Sequence, residues 1–185
     1  TAFFTMEKLL NRFPIEELED GDVIITNDPW IGTGHLPDVN VLRPIFRNGA
    51  VIGFVLTISH LVDVGGRGAS TQSKDVYEEG ALIFPCVQIQ ENYQNREDVL
   101  RIAKIRIRVP ELWHGDFLAL LGATRIGERR LLELIEEIPK QDLSAYPSEW
   151  FNYSEARMIE AIRKLPSGET ITSAWHDPIA EVLPD

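Results

Sequence analysis

Asn48-Gly49 separates two extended, mostly apolar runs, Val39 to Phe46 and Ala50 to Ser59, and few local signals restrict a chain more. An Asn-Gly pair supplies the two positive-φ positions of a tight turn whose twist matches that of paired strands. The flanking runs therefore fold back on each other, and residues at similar distances from the turn become neighbours. Val39 falls near Ser59, which places Asp38 beside His60.

Those two residues belong to a repeated pentapeptide, His-Leu-x-Asp-Val, present as His35-Leu36-Pro37-Asp38-Val39 and as His60-Leu61-Val62-Asp63-Val64. Imidazole and carboxylate are the usual protein ligands of divalent Zn, Mn and Fe, and a working site needs donors converging from separate segments. One hairpin can supply them, so His35, Asp38, His60 and Asp63 are the candidate metal ligands. In a straight strand residues i and i+3 point to opposite faces, so His35 and Asp38 share an ion only if the backbone turns between them. Gly32, Gly34 and Pro37 favour such a turn, and Gly65-Gly66 follows the second copy. A single copy reads better as a loop histidine hydrogen-bonded to a nearby carboxylate; repetition beside turn residues favours a metal. With Cys86 outside both copies, the nitrogen and oxygen donors select Mn or Zn, with Fe as a third candidate, over Cu(I) or an iron–sulfur cluster. A third cluster, His114-Gly115-Asp116, falls at an expected helix start, where Asp116 serves as N-cap and the role is structural.

The net charge of −11 argues against nucleic acid or an anionic membrane as partner, because both require a positive patch. The lone Cys86 forms no intrachain disulfide, which fits a reducing, cytoplasmic location. Apolar runs such as Val51 to Ile58 are far shorter than a membrane span. Thr1-Ala2-Phe3-Phe4 at one end and Leu183-Pro184-Asp185 at the other suggest a fragment of a longer polypeptide.

Along the chain, Met6, Leu9, Leu10 and Phe13 recur at helical spacing until Pro14. Asp22 to Thr26 reads as a short buried strand, closed by Asn27-Asp28-Pro29. Glu97 to Arg108 is helix-like up to Val109-Pro110, and Phe117 to Ile138 gives a long amphipathic helix ending before Pro139. Arg125, Arg129 and Arg130 on it read as a solvated face. Tyr153 to Leu165 is a further helix, and Gly65 to Ser70 a glycine-rich surface loop able to act as a flap over the metal. The expected class is α+β: a mixed sheet with a hairpin-borne metal site, followed by a helical segment. Residues 1–95 form the sheet-rich metal-site region and 96–185 a helical region of the same larger domain.

The stretches Gly21 to Pro29, Gly32 to Val39 and Ser59 to Gly66 together resemble the hydantoinase B/oxoprolinase family. The likeness continues through Tyr77-Glu78-Glu79-Gly80, Val109-Pro110-Glu111, Gly115-Asp116, Gly127 to Leu131 and Tyr153 to Met158. Family members usually carry an aromatic such as tyrosine after Asn-Asp-Pro, where this chain has Trp30, and often two adjacent histidines where Leu61 follows His60. The resemblance implies an ATP-coupled system in which a hydantoinase A-type subunit phosphorylates a carbonyl or enol oxygen. The B-type chain then completes the reaction at a divalent metal, in a hetero-oligomer acting on a small cyclic amide or ketone.

By the same resemblance His35, Asp38 and His60 match the family's metal ligands, and Asp63 an adjacent acidic position. Likeness to the ketone carboxylases favours Mn slightly over Zn. For hydrolysis of a phosphorylated lactam, Asp63 or Asp28 is the candidate catalytic residue for proton transfer. The alternatives are the metal-bearing subunit of an ATP-dependent ketone carboxylase and, in another class, a non-catalytic assembly module with structural His/Asp pairs.

Overall fold

The computed structural model describes residues 2–67, 73–138, 143 and 146–175. Gly68 to Ser70 of the glycine-rich loop, Pro139, Thr1 and Leu183 to Asp185 lie outside them. The chain divides into two compact units, residues 1–132 and 133–185.

The first unit is built on a five-stranded sheet. Its strands are β1 (Val23–Thr26), β2 (Asp38–Arg47), β3 (Ala50–His60), β4 (Val87–Glu91) and β5 (Gln94–Asn95), in the spatial order β3-β2-β1-β4-β5. Around them run α1 (Ala2–Arg12), the short α2 (Val76–Glu79), α3 (Glu97–Lys104) and α4 (Pro110–Glu137), the last continuing into the second unit.

The α+β class is as expected, but the sheet is antiparallel at all four pairings rather than mixed. The reason lies in the connection between β3 and β4. Asn27, just beyond the end of β1, donates to the carbonyls of Leu36 and Leu82 and accepts from the Phe84 N–H. The returning chain is thereby held at the end of the sheet where β1 and β3 finish. β4 must start from that end, so it runs against β1.

β1 is buried at every residue and β2 at most of them, which is why both read as near-continuous apolar runs rather than alternating ones. Val23, Ile25, Val39 and Val41 face one core cluster with Leu100, Trp113, Phe117 and Leu121. Ile24 and Leu42 face the other, with Leu9 and Leu18, while Met6, Leu10 and Phe13 pack against it at the helical spacing seen in the sequence. Each fully buried aliphatic side chain contributes roughly 1.5–3 kcal/mol.

The long helix α4 starts at Pro110, earlier than its apolar periodicity suggests. Proline suits the first helical position, since its missing N–H has no partner there in any case. Asp116 therefore lies inside the helix and is not an N-cap, and His114 stacks against Phe117 with ring centroids 6.2 Å apart. Glu97–Lys104 forms a separate shorter helix. In the second unit, α5 (Tyr146–Arg163) starts ahead of Tyr153 and buries none of its residues. No helix among the described residues is long and apolar enough to cross a membrane.

One charged side chain is enclosed by the first core. Arg43 is fully buried on β2, donating to Thr124 Oγ1 at 3.1 Å and Gln90 Oε1 at 3.0 Å, with Glu128 at 3.9 Å. Arg125, expected on a solvated face, is exposed yet stacks its guanidinium 5.7 Å from the Tyr93 ring centroid.

Candidate metal centre

The site forms at the open end of the β2–β3 hairpin. Asn48 (φ 53°) and Gly49 (φ 79°) make the expected turn, and Asp38 pairs directly with His60 across the strands. The register is not a simple count from the turn, however. Phe46 pairs with Val51 but Ile45 with Gly53, leaving Ile52 as an extra residue on β3. This β-bulge advances β3 by one position, and a one-residue slip in register reverses the face of every side chain beyond it.

His35 joins them through the turn preceding β2. Gly34 takes a φ of 99°, and the Asp38 N–H reaches back to the His35 carbonyl at 3.4 Å. The backbone thus bends between the two residues, as their spacing requires. Gly32 lies against the Asn40 side chain and the Asp28 carbonyl, where a Cβ would meet the amide nitrogen at 2.9 Å.

Asp38 Oδ1 ends 3.1 Å from His35 Nε2 and 3.1 Å from His60 Nδ1. The imidazole centroids are 5.1 Å apart and inclined by 40°. One nitrogen from each histidine and one Asp38 oxygen lie within 4.8 Å of one another, close enough for a single ion. Their side chains are 36% (His35), 20% (Asp38) and 53% (His60) exposed, so the group opens to solvent on the His60 side. Burial by itself raises the Asp38 carboxyl. The Thr33 hydroxyl, near it though outside standard hydrogen-bond geometry, together with the charge of His35 and hydrogen bonds from both histidines outweighs burial and holds the carboxyl below its ordinary value. The carboxylate is therefore anionic over a wide pH range, as a ligand must be. Two imidazoles and a carboxylate form a mixed nitrogen and oxygen set that suits a divalent ion such as Zn or Mn.

Asp63 is not part of this group. Its Oδ1 accepts from the Gly65 N–H at 2.8 Å and the Arg108 guanidinium at 2.8 Å, and its Oδ2 accepts from the Arg108 N–H at 2.7 Å. Burial raises this carboxyl too, but those donors more than offset it and its net shift is downward. Asp28 accepts from the Trp30 N–H at 3.0 Å, while its carbonyl accepts from Ile31 and Gly32, closing a tight turn.

Two residues of the site region were not singled out by sequence reasoning. Asn27 fixes the loop that carries His35, and Glu79 contacts His35 itself: Glu79 Oε1 lies 3.2 Å from His35 Nδ1 and Oε2 accepts from the Leu36 N–H at 2.9 Å. Glu79 is separated from His35 by 44 positions, so no local spacing marks it. Its membership of the Tyr77-Glu78-Glu79-Gly80 stretch was the one available signal.

The whole of this arrangement lies within a match to the hydantoinase B/oxoprolinase family profile over residues 1–182. A chain from Pseudomonas sp. (strain NS671), named as the B-type subunit of a D-/L-hydantoinase, is 36% identical over 166 residues, covering 88% of this chain and 28% of its own length. The crystal structure of the ATP-dependent caprolactamase from Pseudomonas jessenii superposes with a TM-score of 0.79 at 29% identity, over 90% of this chain and 29% of the other. The acetophenone carboxylase delta subunit of Aromatoleum aromaticum is 26% identical over 89% of this chain and 24% of its own length. The chain spans less than a third of the length of these relatives.

Proposed function

The chain belongs to the hydantoinase B/oxoprolinase family, and from that premise we propose that it carries the metal site of a B-type subunit in an ATP-dependent cyclic amide hydrolase. The observation that carries the proposal is the convergence of His35, Asp38 and His60 within 4.8 Å. An A-type partner in the same hetero-oligomer uses ATP to phosphorylate the lactam oxygen, and hydrolysis of the activated ring falls to the B-type subunit. A bound Zn or Mn ion supplies charge stabilisation and a water of lowered pKa.

The chain's own residues define how the site works. Asp38 contributes negative charge between two imidazoles and would offset part of the positive charge of an ion held there. The half-exposed His60 leaves the mouth of the site accessible to a small ring. Of the two carboxylates considered for proton transfer, Asp63 is committed to Arg108 and Gly65, whereas Asp28 Oδ2 accepts no hydrogen bond among the described residues. Asp28 is therefore the proposed proton acceptor, with Asp63 holding the adjoining loop. The buried thiol of Cys86, pushed up to about 11 chiefly by burial, is held as the unreactive protonated form and takes no part in the chemistry; the proposed location is the cytoplasm.

A carboxylase reading draws on the acetophenone carboxylase relative. The test is to purify the chain with its A-type partner, measure metal by elemental analysis, and assay ATP-dependent opening of cyclic amides beside ATP-dependent ketone carboxylation. Stoichiometric Zn or Mn with lactam cleavage is the expected result. Ketone carboxylation instead identifies the alternative enzyme, and a metal-free, inactive complex identifies an assembly module.

A further inference from the structure

Behind the inward-facing nitrogen of His35 stands a carboxylate that neither pentapeptide copy supplies. We infer that Glu79 is a positioning residue that makes Nε2 the ligating nitrogen of His35 and sets the site's affinity for its ion, an inference that rests on the metal reading above.

A neutral imidazole carries one donor and one acceptor nitrogen, and an ionised carboxylate only accepts. Glu79 Oε1 lies 3.2 Å from Nδ1 and Asp38 Oδ1 3.1 Å from Nε2, so without an ion either nitrogen has a carboxylate to receive its hydrogen. Nε2 is the nitrogen on the Asp38 side, so an ion held there would take the Nε2 lone pair and leave the hydrogen on Nδ1, where Glu79 accepts it. The other Glu79 oxygen takes the Leu36 N–H, so one carboxylate fixes both the ring and the backbone beside it. Only 15% of the Glu79 side chain is exposed, which limits competition from water.

Glu79 is itself held from several directions. It ends α2, whose N-cap Asp75 accepts from the N–H groups of Tyr77 and Glu78. Gly65 bridges to Gly80, and the Arg67 N–H donates to the Glu78 carbonyl. Gly66 passes so close to the Glu79 carbonyl that a Cβ there would overlap it. Asp63 secures the start of this strap through Gly65 and Arg108, and the Arg108 guanidinium also donates to the Gly66 carbonyl. The glycine pair after the second pentapeptide thus presses Glu79 against the histidine of the first.

The experiment uses the full chain and its Glu79→Ala and Glu79→Gln variants. Zn²⁺ and Mn²⁺ affinities are measured by competition with a chromophoric chelator, and the Zn²⁺-loaded proteins are examined by imidazole ¹⁵N NMR. Loss of a hydrogen-bonding partner behind a ligand weakens metal binding by about 10–100-fold. Glu79→Ala is expected in that range and Glu79→Gln between it and wild type, because the amide oxygen still accepts from Nδ1. The wild-type spectrum should show His35 bound through Nε2 with a protonated Nδ1, and Glu79→Ala should lose that single form. Thermal unfolding of the metal-free proteins identifies any variant that fails to fold, in which case Glu79→Gln alone decides. Wild-type affinity and an unchanged His35 form in a folded variant overturn the inference while leaving the metal reading intact. A wild-type protein that binds neither ion overturns both.

Discussion

Asp38 and His60 are direct cross-strand partners because β3 carries Ile52 as an unpaired extra residue between the turn and the site. Paired strictly from Asn48-Gly49, Asp38 would meet Ser59, and His60 would sit one step beyond on the opposite face. The bulge thus helps build the candidate metal site although it lies eight residues from His60 along the chain, counting from Ile52.

This relationship predicts an asymmetry between two deletions. Removing Ile52 abolishes the bulge but joins Val51 to Gly53, whose partners Phe46 and Ile45 are already consecutive, so Asp38 still meets His60. Removing Thr57 instead lies between bulge and site and displaces His60 from Asp38. Metal titration should find one site in the first variant and a loss of roughly tenfold or more in affinity in the second. Equal binding by both would disprove the register argument.

His60→Ala isolates the ligand from the scaffold. The side chain is 53% exposed, so little packing is lost, and a surface substitution of this kind changes stability by about 0.5 kcal/mol or less. Metal affinity should fall by at least an order of magnitude, and lactam cleavage with it. Elemental analysis and a denaturant melt on the same preparation separate the two effects; wild-type metal content would refute the assignment.

How much of this was legible beforehand differs by element. The hairpin, its bringing of Asp38 and His60 to within one register step, and the turn that swings His35 round followed from residue type and spacing, because turn chemistry and strand alternation are local. The bulge at Ile52 was not legible: Val51, Ile52 and Gly53 suit a regular strand as well as a bulged one, and sheet packing makes the choice. Nor was the fate of Asp63. Its place in the repeat matches that of Asp38, yet Arg108, 45 positions away, is its partner. The antiparallel return of β4 depends on Asn27 reaching Leu82 and Phe84, contacts more than 50 positions apart. Long-range polar contacts leave no periodic trace, and they account for the last two of these departures.

Arg43 offers a test of the core beneath the site. Burial lowers its pKa, the nearby Glu128 carboxylate opposes that shift, and burial in turn raises the Glu128 carboxyl. Removing one member of such a pair leaves the other charged or unsatisfied in the interior. Arg43→Met should cost about 3–5 kcal/mol, far more than its change in volume, and Arg43→Met with Glu128→Gln should recover part of it. Urea unfolding of the two single variants and the double variant measures the coupling; simple additivity would show that the two side chains do not interact.

The last prediction concerns acid. Asp63 accepts from two backbone N–H groups as well as from Arg108, whose side chain is 59% exposed. An exposed ion pair contributes about 1 kcal/mol or less, so the two backbone donors dominate, a bond to a charged acceptor being worth roughly 1.5–3 kcal/mol. Asp63→Asn should therefore destabilise the fold at neutral pH by about 1.5–3 kcal/mol, with Arg108→Ala costing less where it leaves the backbone donors intact. The sign of the pH dependence follows from the folded carboxyl lying below its ordinary 3.8. Its stabilisation is complete above that value and is lost as pH falls through the lower folded one, because the unfolded state then binds the proton more readily. The gap between wild type and Asp63→Asn should hold from pH 7 down to about 5 and close at more acid pH. Melting curves across that range provide the measurement; a gap that instead widened on acidification would mean that the carboxylate, paired as it is, does not stabilise this loop.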